Sequence, residues 1–353
     1  MSHVKQIQQK LGELPALVLT DPISIRYASG FFITDGAAVI ARDKAWFITD
    51  SRYVEAAEKA VGDMQVLCTS IGHGVNAILG ELFAQNGFDK AGAEENRVSH
   101  GDWTALEKAA GVGFVPAGNI LTDLRTRKDR EEVDSIIAAQ RIAEKALDEV
   151  LGLIRPGLTE KEIASELVYR MYKYGGEGNS FDPIVVTGAK SSMPHGVPGD
   201  VVIKDGDFVT MDFGTLYNGY CSDMTRTVAV GHVTDEMRKI YDIVLQAQLA
   251  GIEAAAPGVP GCDIDGAGRK IIEEAGYGKY FGHGFGHSLG LEIHEDPRAA
   301  VTAKTPMPEG AVISAEPGIY LPGKFGVRIE DMLWLHDGGA ENLTKAPKEL
   351  IIL

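Results

Sequence analysis

Asn218-Gly219 is the dipeptide that most narrows what this chain can become. It follows the strand-like run Asp207–Gly214 and sits near the start of Tyr217–Thr227, and both of its residues tolerate the positive φ that a two-residue hairpin turn demands. With those two residues as the loop, Tyr217 faces Tyr220 and Asp212 faces Thr225. Side chains alternate along a strand, so Asp223 shares a face with Asp212, diagonally across the ladder. Asp212 sits among Val209, Met211, Phe213 and Val228, where solvation is poor. Two carboxylates on one face repel unless a cation separates them. The plainer alternative is a pair of surface aspartates on a solvated sheet face, and the hairpin alone leaves both open.

Further along, Gly282-His283-Gly284-Phe285-Gly286-His287 and Leu291-Glu292-Ile293-His294 place three histidines in a glycine-rich stretch, where backbone and side chains can approach a ligand closely. Clustered histidines point to metal or acid–base chemistry. The isolated His3, His73, His100, His232 and His336 are read as structural. Two glutamates come next. Glu316 stands just past the apolar strand Ala311-Val312-Ile313, and Glu330 stands among apolar neighbours in a strand, Gly326-Val327-Arg328-Ile329-Glu330. Acidic residues at such places are paired when buried. For Glu330 the simplest partner is Arg328, two residues away on the same face. Taken together, four carboxylates and one imidazole suit two divalent cations. Oxygen-rich ligation favours Mn²⁺, Co²⁺, Fe²⁺ or Zn²⁺ over softer ions.

The 353 residues allow two domains of ordinary size. The first part alternates short strands (Ala16–Leu19, Ala37–Ala41, Ala45–Ile48) with helices, one of them capped by Asp50 or Ser51. A boundary falls near Leu121 to Thr126. Apolar spacing at Val133, Ile136, Ile137, Ile142, Ala146 and Val150 then predicts a long amphipathic helix. Thr159 and Glu162 form a capping box for a second helix. Beyond Phe181, β-type runs alternate with Gly and Pro: Ile184–Thr187, Phe208–Phe213, Thr225–Val230, Val312–Ser314 and Gly326–Ile329. They are interrupted by helices over Glu236–Ala256 and near Gly268–Ala275. Helices first and then mostly antiparallel sheet make an α+β domain. A formal charge of −16 speaks against nucleic acid or an anionic membrane as partner. The basic run Arg125, Arg127, Lys128, Arg130 is followed at once by Glu131 and Glu132 and reads as a solvated helix start. Three dispersed cysteines fit a reducing cytoplasm, and the polar first ten residues do not form a signal peptide.

The ordered set Asp212, Asp223, His287, Glu316, Glu330 resembles the ligand set of the pita-bread metallopeptidases, the M24 family of methionine aminopeptidase, aminopeptidase P and prolidase. The resemblance covers Asp123 to Leu353. It extends to Ile25–Gly30 and Ala45–Tyr53, which look like that family's creatinase-type N-terminal domain. It implies a smaller α/β N-terminal domain over 1–122 and a catalytic pita-bread domain over 123–353. Asp212 would hold one metal, Asp223 and Glu330 both, and His287 and Glu316 the second. Glu316 would also serve as general base. His195 and His294 would be catalytic and touch substrate, with His283 and Arg328 as further substrate-binding residues. The resemblance also implies a pair of divalent ions, Mn²⁺ first among them, short proline-containing peptides as substrates and a homodimer.

The N-terminal domain separates the chain from methionine aminopeptidases, and the complete ligand set separates it from creatinase. The expected activity is that of an Xaa-Pro aminopeptidase. The alternative is a prolidase, an Xaa-Pro dipeptidase, whose site must also recognise a free C-terminal carboxylate. A non-enzyme alternative is a peptide- or protein-binding module on a peptidase scaffold.

Overall fold

Short apolar runs closed by turn residues dictate the first part of the chain. The computed structural model describes residues 2–353, and the chain divides into two compact units, Met1–Arg125 and Thr126–Leu353. In the first unit six strands form one sheet: β1 (Ala16–Leu19), β2 (Ala37–Ala41), β3 (Ala45–Thr49), β4 (Gln65–Cys68), β5 (Ala91–Ala93) and β6 (Phe114–Pro116). The order is β4-β3-β2-β1-β5-β6, with β1, β2 and β3 joined by antiparallel pairing and the outer pairs parallel. Six helices accompany it: α1 (His3–Lys10), α2 (Pro22–Ser29), α3 (Val54–Ala60), α4 (Val75–Asn86), α5 (His100–Ala110) and α6 (Asn119–Arg125). The first three expected strands are present. The expected cap of α3 is not: Tyr53 occupies the N-cap position, and the Asp50 carboxylate instead closes the preceding turn by accepting the Arg52 amide at 2.8 Å.

The second unit opens with α7 (Arg130–Leu151) and α8 (Glu160–Lys173). Both begin in reciprocal capping boxes, Asp129 with Glu132 and Thr159 with Glu162, which satisfy amide groups that a helix start leaves bare. Val133, Ile136, Ala139, Ala143, Ala146 and Val150 form the buried stripe of α7. The last three of these pack with Ile163, Leu167 and Met171 of α8 in the core. Three antiparallel strands come next, in the order β11-β8-β7: β7 (Ile184–Thr187), β8 (Phe208–Phe213) and β11 (Met224–Ala229). Between β8 and β11 lies the short ladder β9 (Leu216–Tyr217) with β10 (Tyr220–Cys221). Tyr220 faces Tyr217 and Thr225 faces Asp212, the register that the Asn218-Gly219 turn requires. Both turn residues have positive φ, 49° and 78°.

Helices α9 (Asp235–Ala254) and α10 (Gly261–Glu274) succeed them. Helix α10 starts seven residues earlier than its apolar spacing suggests, because Gly261, Gly266 and Gly268 dilute the pattern. Gly251 of α9 and Gly268 of α10 lie directly against the ring of buried Phe285, where any Cβ would collide with it. Absence of a side chain here lets two helices close on the strand that carries the histidines.

The remaining strands are β12 (Gly286–Ser288), β13 (Glu295–Ala299), β14 (Val312–Ala315), β15 (Gly318–Leu321), β16 (Phe325–Arg328), β17 (Asp331–His336) and β18 (Gly339–Asn342). They form a five-stranded sheet β13-β12-β14-β17-β18 and the hairpin β15-β16. Glu330 therefore does not lie within a strand as expected, but in the break between β16 and β17. That break is anchored by buried Arg226 of β11, which donates to the Glu330 carbonyl at 2.6 Å and to Asp331 Oδ1 at 2.8 Å. Lys348 and Asn342 complete the partners of Asp331. None of the helices among the described residues is long and apolar enough to cross a membrane.

Removing Arg226 leaves Asp331 with only Lys348 and Asn342 and takes the buried guanidinium donor from the Glu330 carbonyl. Arg226→Met should destabilise the second unit by ~3–5 kcal/mol in chemical denaturation. A loss below ~1 kcal/mol, the range of an exposed pair, would show that this network does not anchor the break.

Candidate metal centre and its cavity

A cavity of about 580 Å³ opens in the second unit. Every residue expected at a metal or substrate site lines it: Asp212, Asp223, His287, Glu316 and Glu330, together with His195, His283, His294 and Arg328. None of the histidines read as structural does so. His73, His232 and His336 bond carboxylates elsewhere.

Each ligand candidate arrives on a different element. Asp212 comes from β8 and Asp223 from the link between β10 and β11, both delivered by the hairpin register. His287 comes from β12, its amide donating to Ser314 Oγ at 3.0 Å. Glu316 follows β14, its amide donating to the Phe285 carbonyl at 2.8 Å. Glu330 follows β16, its amide donating to the Thr225 carbonyl at 3.2 Å. Donor atoms of Asp223, His287 and Glu330 all lie within 4.8 Å of one another. His287 Nε2 is 3.6 Å from Asp223 Oδ2 and 3.3 Å from Glu316 Oε1.

The electrostatics of this cluster call for a cation. Asp223 and Glu330 are 3% and 1% exposed. Burial pushes the Asp223 carboxyl well above the usual carboxylate range, and the charges of Asp212 and Glu316 push it further. Burial does the same to Glu330, reinforced by Asp223, Glu316 and Asp212. Glu316 is raised too, again chiefly by burial. Oδ1 of Asp212 and Oδ1 of Asp223 are buried with no hydrogen-bond partner among the described residues. The His287 ring adds a tautomer argument. Its Nδ1 lies 3.2 Å from the Ser288 carbonyl, which can only accept, so Nδ1 carries the hydrogen. The lone pair of Nε2 then faces two carboxylates. A proton on Nε2 is disfavoured, because burial lowers the affinity of this ring for it. Bare acceptors, a bare imidazole nitrogen and repelling carboxylates are a donor set that fits divalent cations.

Arg328 does not pair with Glu330. Its Nη2 pairs with Asp212, its Nε donates to Thr225 Oγ1 at 2.9 Å, and its Nη1 donates to Tyr320 Oη at 3.0 Å and to the Pro194 carbonyl at 3.3 Å. Thr225 stands between the expected partners: its hydroxyl donates to Glu330 Oε2 at 2.7 Å. Burial opposes the charge of Arg328, yet Tyr320, Asp212 and the glutamates hold it firmly protonated. The expected substrate-binding head group is thus largely occupied by protein.

The three remaining histidines differ in setting. His283 Nε2 lies 2.9 Å from Tyr320 Oη, and its Nδ1 lies 2.9 Å from the Gly284 carbonyl. Burial lowers its proton affinity, as it does for His294. The His294 ring meets the His287 ring at 4.5 Å and 70°. His195 is exposed on the loop after β7. Sequence reasoning passed over Thr225, Ser314 and Tyr320, which hold the charged groups. It also passed over Arg298 of β13, which lines the cavity and whose guanidinium makes no ion pair or hydrogen bond among the described residues. The signal for it was a lone arginine four positions after His294.

Known proteins share this arrangement of domains. The profile of Metallopeptidase family M24 matches residues 134–337, and that of the Creatinase/Prolidase N-terminal domain matches residues 2–127. A Xaa-Pro dipeptidase of Pyrococcus furiosus is 44% identical over 245 residues, covering 69% of this chain and 70% of that protein. The solved structure of a Xaa-Pro dipeptidase from Bacillus anthracis superposes with a TM-score of 0.95 at 40% identity, covering 99% of both chains. That of an X-Pro aminopeptidase from Thermotoga maritima superposes with a TM-score of 0.94 at 37% identity, covering 98% of this chain and 99% of the other.

Carboxyls raised in the folded state bind protons on folding, so they favour the fold at low pH and disfavour it once the unfolded chain ionises. The metal-stripped protein should therefore lose thermal stability as the pH rises through and above the ordinary carboxylate range, from about pH 4 upward. Asp223→Asn should flatten that loss and abolish the rise in Tm that Mn²⁺ gives the native sequence at the higher pH. A Tm indifferent to both pH and Mn²⁺ would contradict the electrostatic account.

Proposed function

The chain belongs to metallopeptidase family M24, with a creatinase/prolidase N-terminal domain, and on that basis we propose that it is a Xaa-Pro dipeptidase. Aminopeptidase activity was the first expectation from sequence. The named relatives weigh towards the dipeptidase, and one structural observation carries the preference. A dipeptidase needs a cation for the substrate's free C-terminal carboxylate. Arg298 is the one cationic side chain lining the cavity that is free of partners among the described residues. Residues 123–353 would carry the catalysis, preceded by the domain of residues 1–122.

Asp212, Asp223, His287, Glu316 and Glu330 would hold two divalent cations, Mn²⁺ being the first choice for such oxygen-rich ligation. When bound, such a pair supplies Lewis acidity towards a carbonyl and lowers the pKa of water. The chain's own residues supply the rest. Glu316 takes a proton from the water whose oxygen adds to the scissile carbonyl carbon, and returns it to the proline nitrogen as the C–N bond breaks. Ser314 Oγ, 3.0 Å from Glu316 Oε1, aims the carboxylate. His294 donates to the oxygen of the scissile carbonyl, and neutral imidazole is the form its setting favours. His195 meets the substrate from the loop after β7, and His283, held by Tyr320, supports it. Phe181, Ile184, Val197 and Ile293 give the cavity an apolar wall that suits a proline ring. Proline has no N–H and a fixed φ, so a wall without an acceptor prefers it over residues whose N–H would stay unpaired.

The second reading, an Xaa-Pro aminopeptidase, draws on the likeness to the Thermotoga maritima structure. Mn²⁺-loaded protein given Ala-Pro and a longer Ala-Pro-Xaa peptide separates the two. The dipeptidase should cleave the first, and cleavage of the longer peptide alone would give the case to the aminopeptidase. Arg298→Gln should raise KM for Ala-Pro about 10–100-fold, the worth of a charged hydrogen bond of ~1.5–3 kcal/mol, and leave KM for Ala-Pro-amide nearly unchanged.

Asp223→Ala and Glu330→Ala should each abolish turnover together with metal content. His294→Ala should keep the metal and lower kcat by about 10²–10⁴. Full metal and normal turnover in either acidic variant would refute the ligand assignment, and metal loss in the His294 variant would refute its role.

A further inference from the structure

We propose that Lys128 is a positioning residue for His294, acting through Glu295 and Ser288. This rests on the reading of His294 as the donor that faces the scissile carbonyl. In sequence Lys128 belongs to a basic run at a helix start. The structure sets it apart from that run, since its side chain is 1% exposed. A cation just ahead of the N-cap Asp129 is also the wrong sign for the helix dipole, so α7 gains nothing from it.

Its ammonium lies instead 2.9 Å from Glu295 Oε2 and 3.4 Å from Ser288 Oγ. Glu295 directly follows His294, and Ser288 directly follows His287. Lys128 therefore grips the neighbours of both histidines. It does so where the ladder slips: His287 faces Arg298, but Ser288 faces Glu295, leaving Asp296 and Pro297 as extra residues on β13. A bulge of this kind re-aims the adjacent side chain. The bulge needs a fixed point to aim it reproducibly, and the buried ammonium supplies one. The other oxygen of Glu295 accepts the Glu292 amide at 3.2 Å, closing the turn that carries His294. Ser288 Oγ in turn donates to the Val312 carbonyl at 2.7 Å, which ties the grip to β14. The 4.5 Å contact between the rings of His287 and His294 is a product of this arrangement.

Lys128→Met alone would strand a buried carboxylate, so the variant to measure is Lys128→Met/Glu295→Gln in the full chain. Mn²⁺ content should match the native protein, while kcat for Ala-Pro falls about 10–100-fold, as for other residues that orient a site group. Adding His294→Ala should bring kcat to the level of His294→Ala alone and no lower. In the zinc-loaded protein the imidazole resonance of His294 should shift or broaden, while those of His73 and His232 stay in place. An unmoved His294 resonance would overturn the proposal, as would losses that multiply in the triple variant. If the native protein cleaves no Xaa-Pro peptide, the functional reading fails, and the resonance of His294 still decides the positioning claim.

Discussion

Repulsion among buried carboxylates is the constraint around which the second unit is arranged. Asp212, Asp223, Glu316 and Glu330 converge on one cavity, and burial beside one another raises the carboxyls of Asp223, Glu316 and Glu330. Only one cationic side chain, Arg328, enters their midst directly among the described residues. The stability that holds them together must come from elsewhere. It comes from apolar packing, such as Phe285 between two glycine-bearing helices, and from ion pairs that are themselves complete, such as Arg226 with Asp331. Divalent ions would then bind a site that the fold has assembled against its own electrostatics. This is the usual way in which a protein holds strained charges ready for chemistry.

The two arginines near the cavity illustrate how context divides labour. Arg328 is surrounded by Asp212, Thr225, Tyr320 and the Pro194 carbonyl, so its donors are spent on holding protein groups in place. Arg298 has the same chemistry and no partner for its side chain among the described residues. An unpaired guanidinium facing a cavity is suited to a planar carboxylate that arrives from solution. Residue type alone could not separate these two roles; only their neighbours do.

The legible part of the sequence was local. The Asn218-Gly219 turn determined a register through chemistry contained in two residues, and the structure shows the predicted pairings of Tyr217 with Tyr220 and Asp212 with Thr225. The Thr159–Glu162 capping box was equally local and is equally present. The convergence of the five proposed ligands was legible through resemblance. Features decided by distant packing escaped. The start of α10 was hidden because its glycines serve contact with Phe285, not helix propensity. Lys128 looked solvated because its partner lies 167 positions away. Glu330 looked paired with Arg328 because nothing in their spacing reveals that the chain breaks between β16 and β17 and that Thr225 comes between them.

The Asn218-Gly219 hairpin also has a bearing on synthesis. Its two strands are adjacent in the chain, so Asp212 and Asp223 can meet while the ribosome is still translating the later strands. His287, Glu316 and Glu330 emerge long afterwards, and closing such wide loops is slow. For that interval the nascent chain carries two of the five proposed ligands without the other three. Any cation caught early would be held by two carboxylates in water, too weakly to commit the wrong metal. Discrimination among ions would then fall to the completed set of ligands.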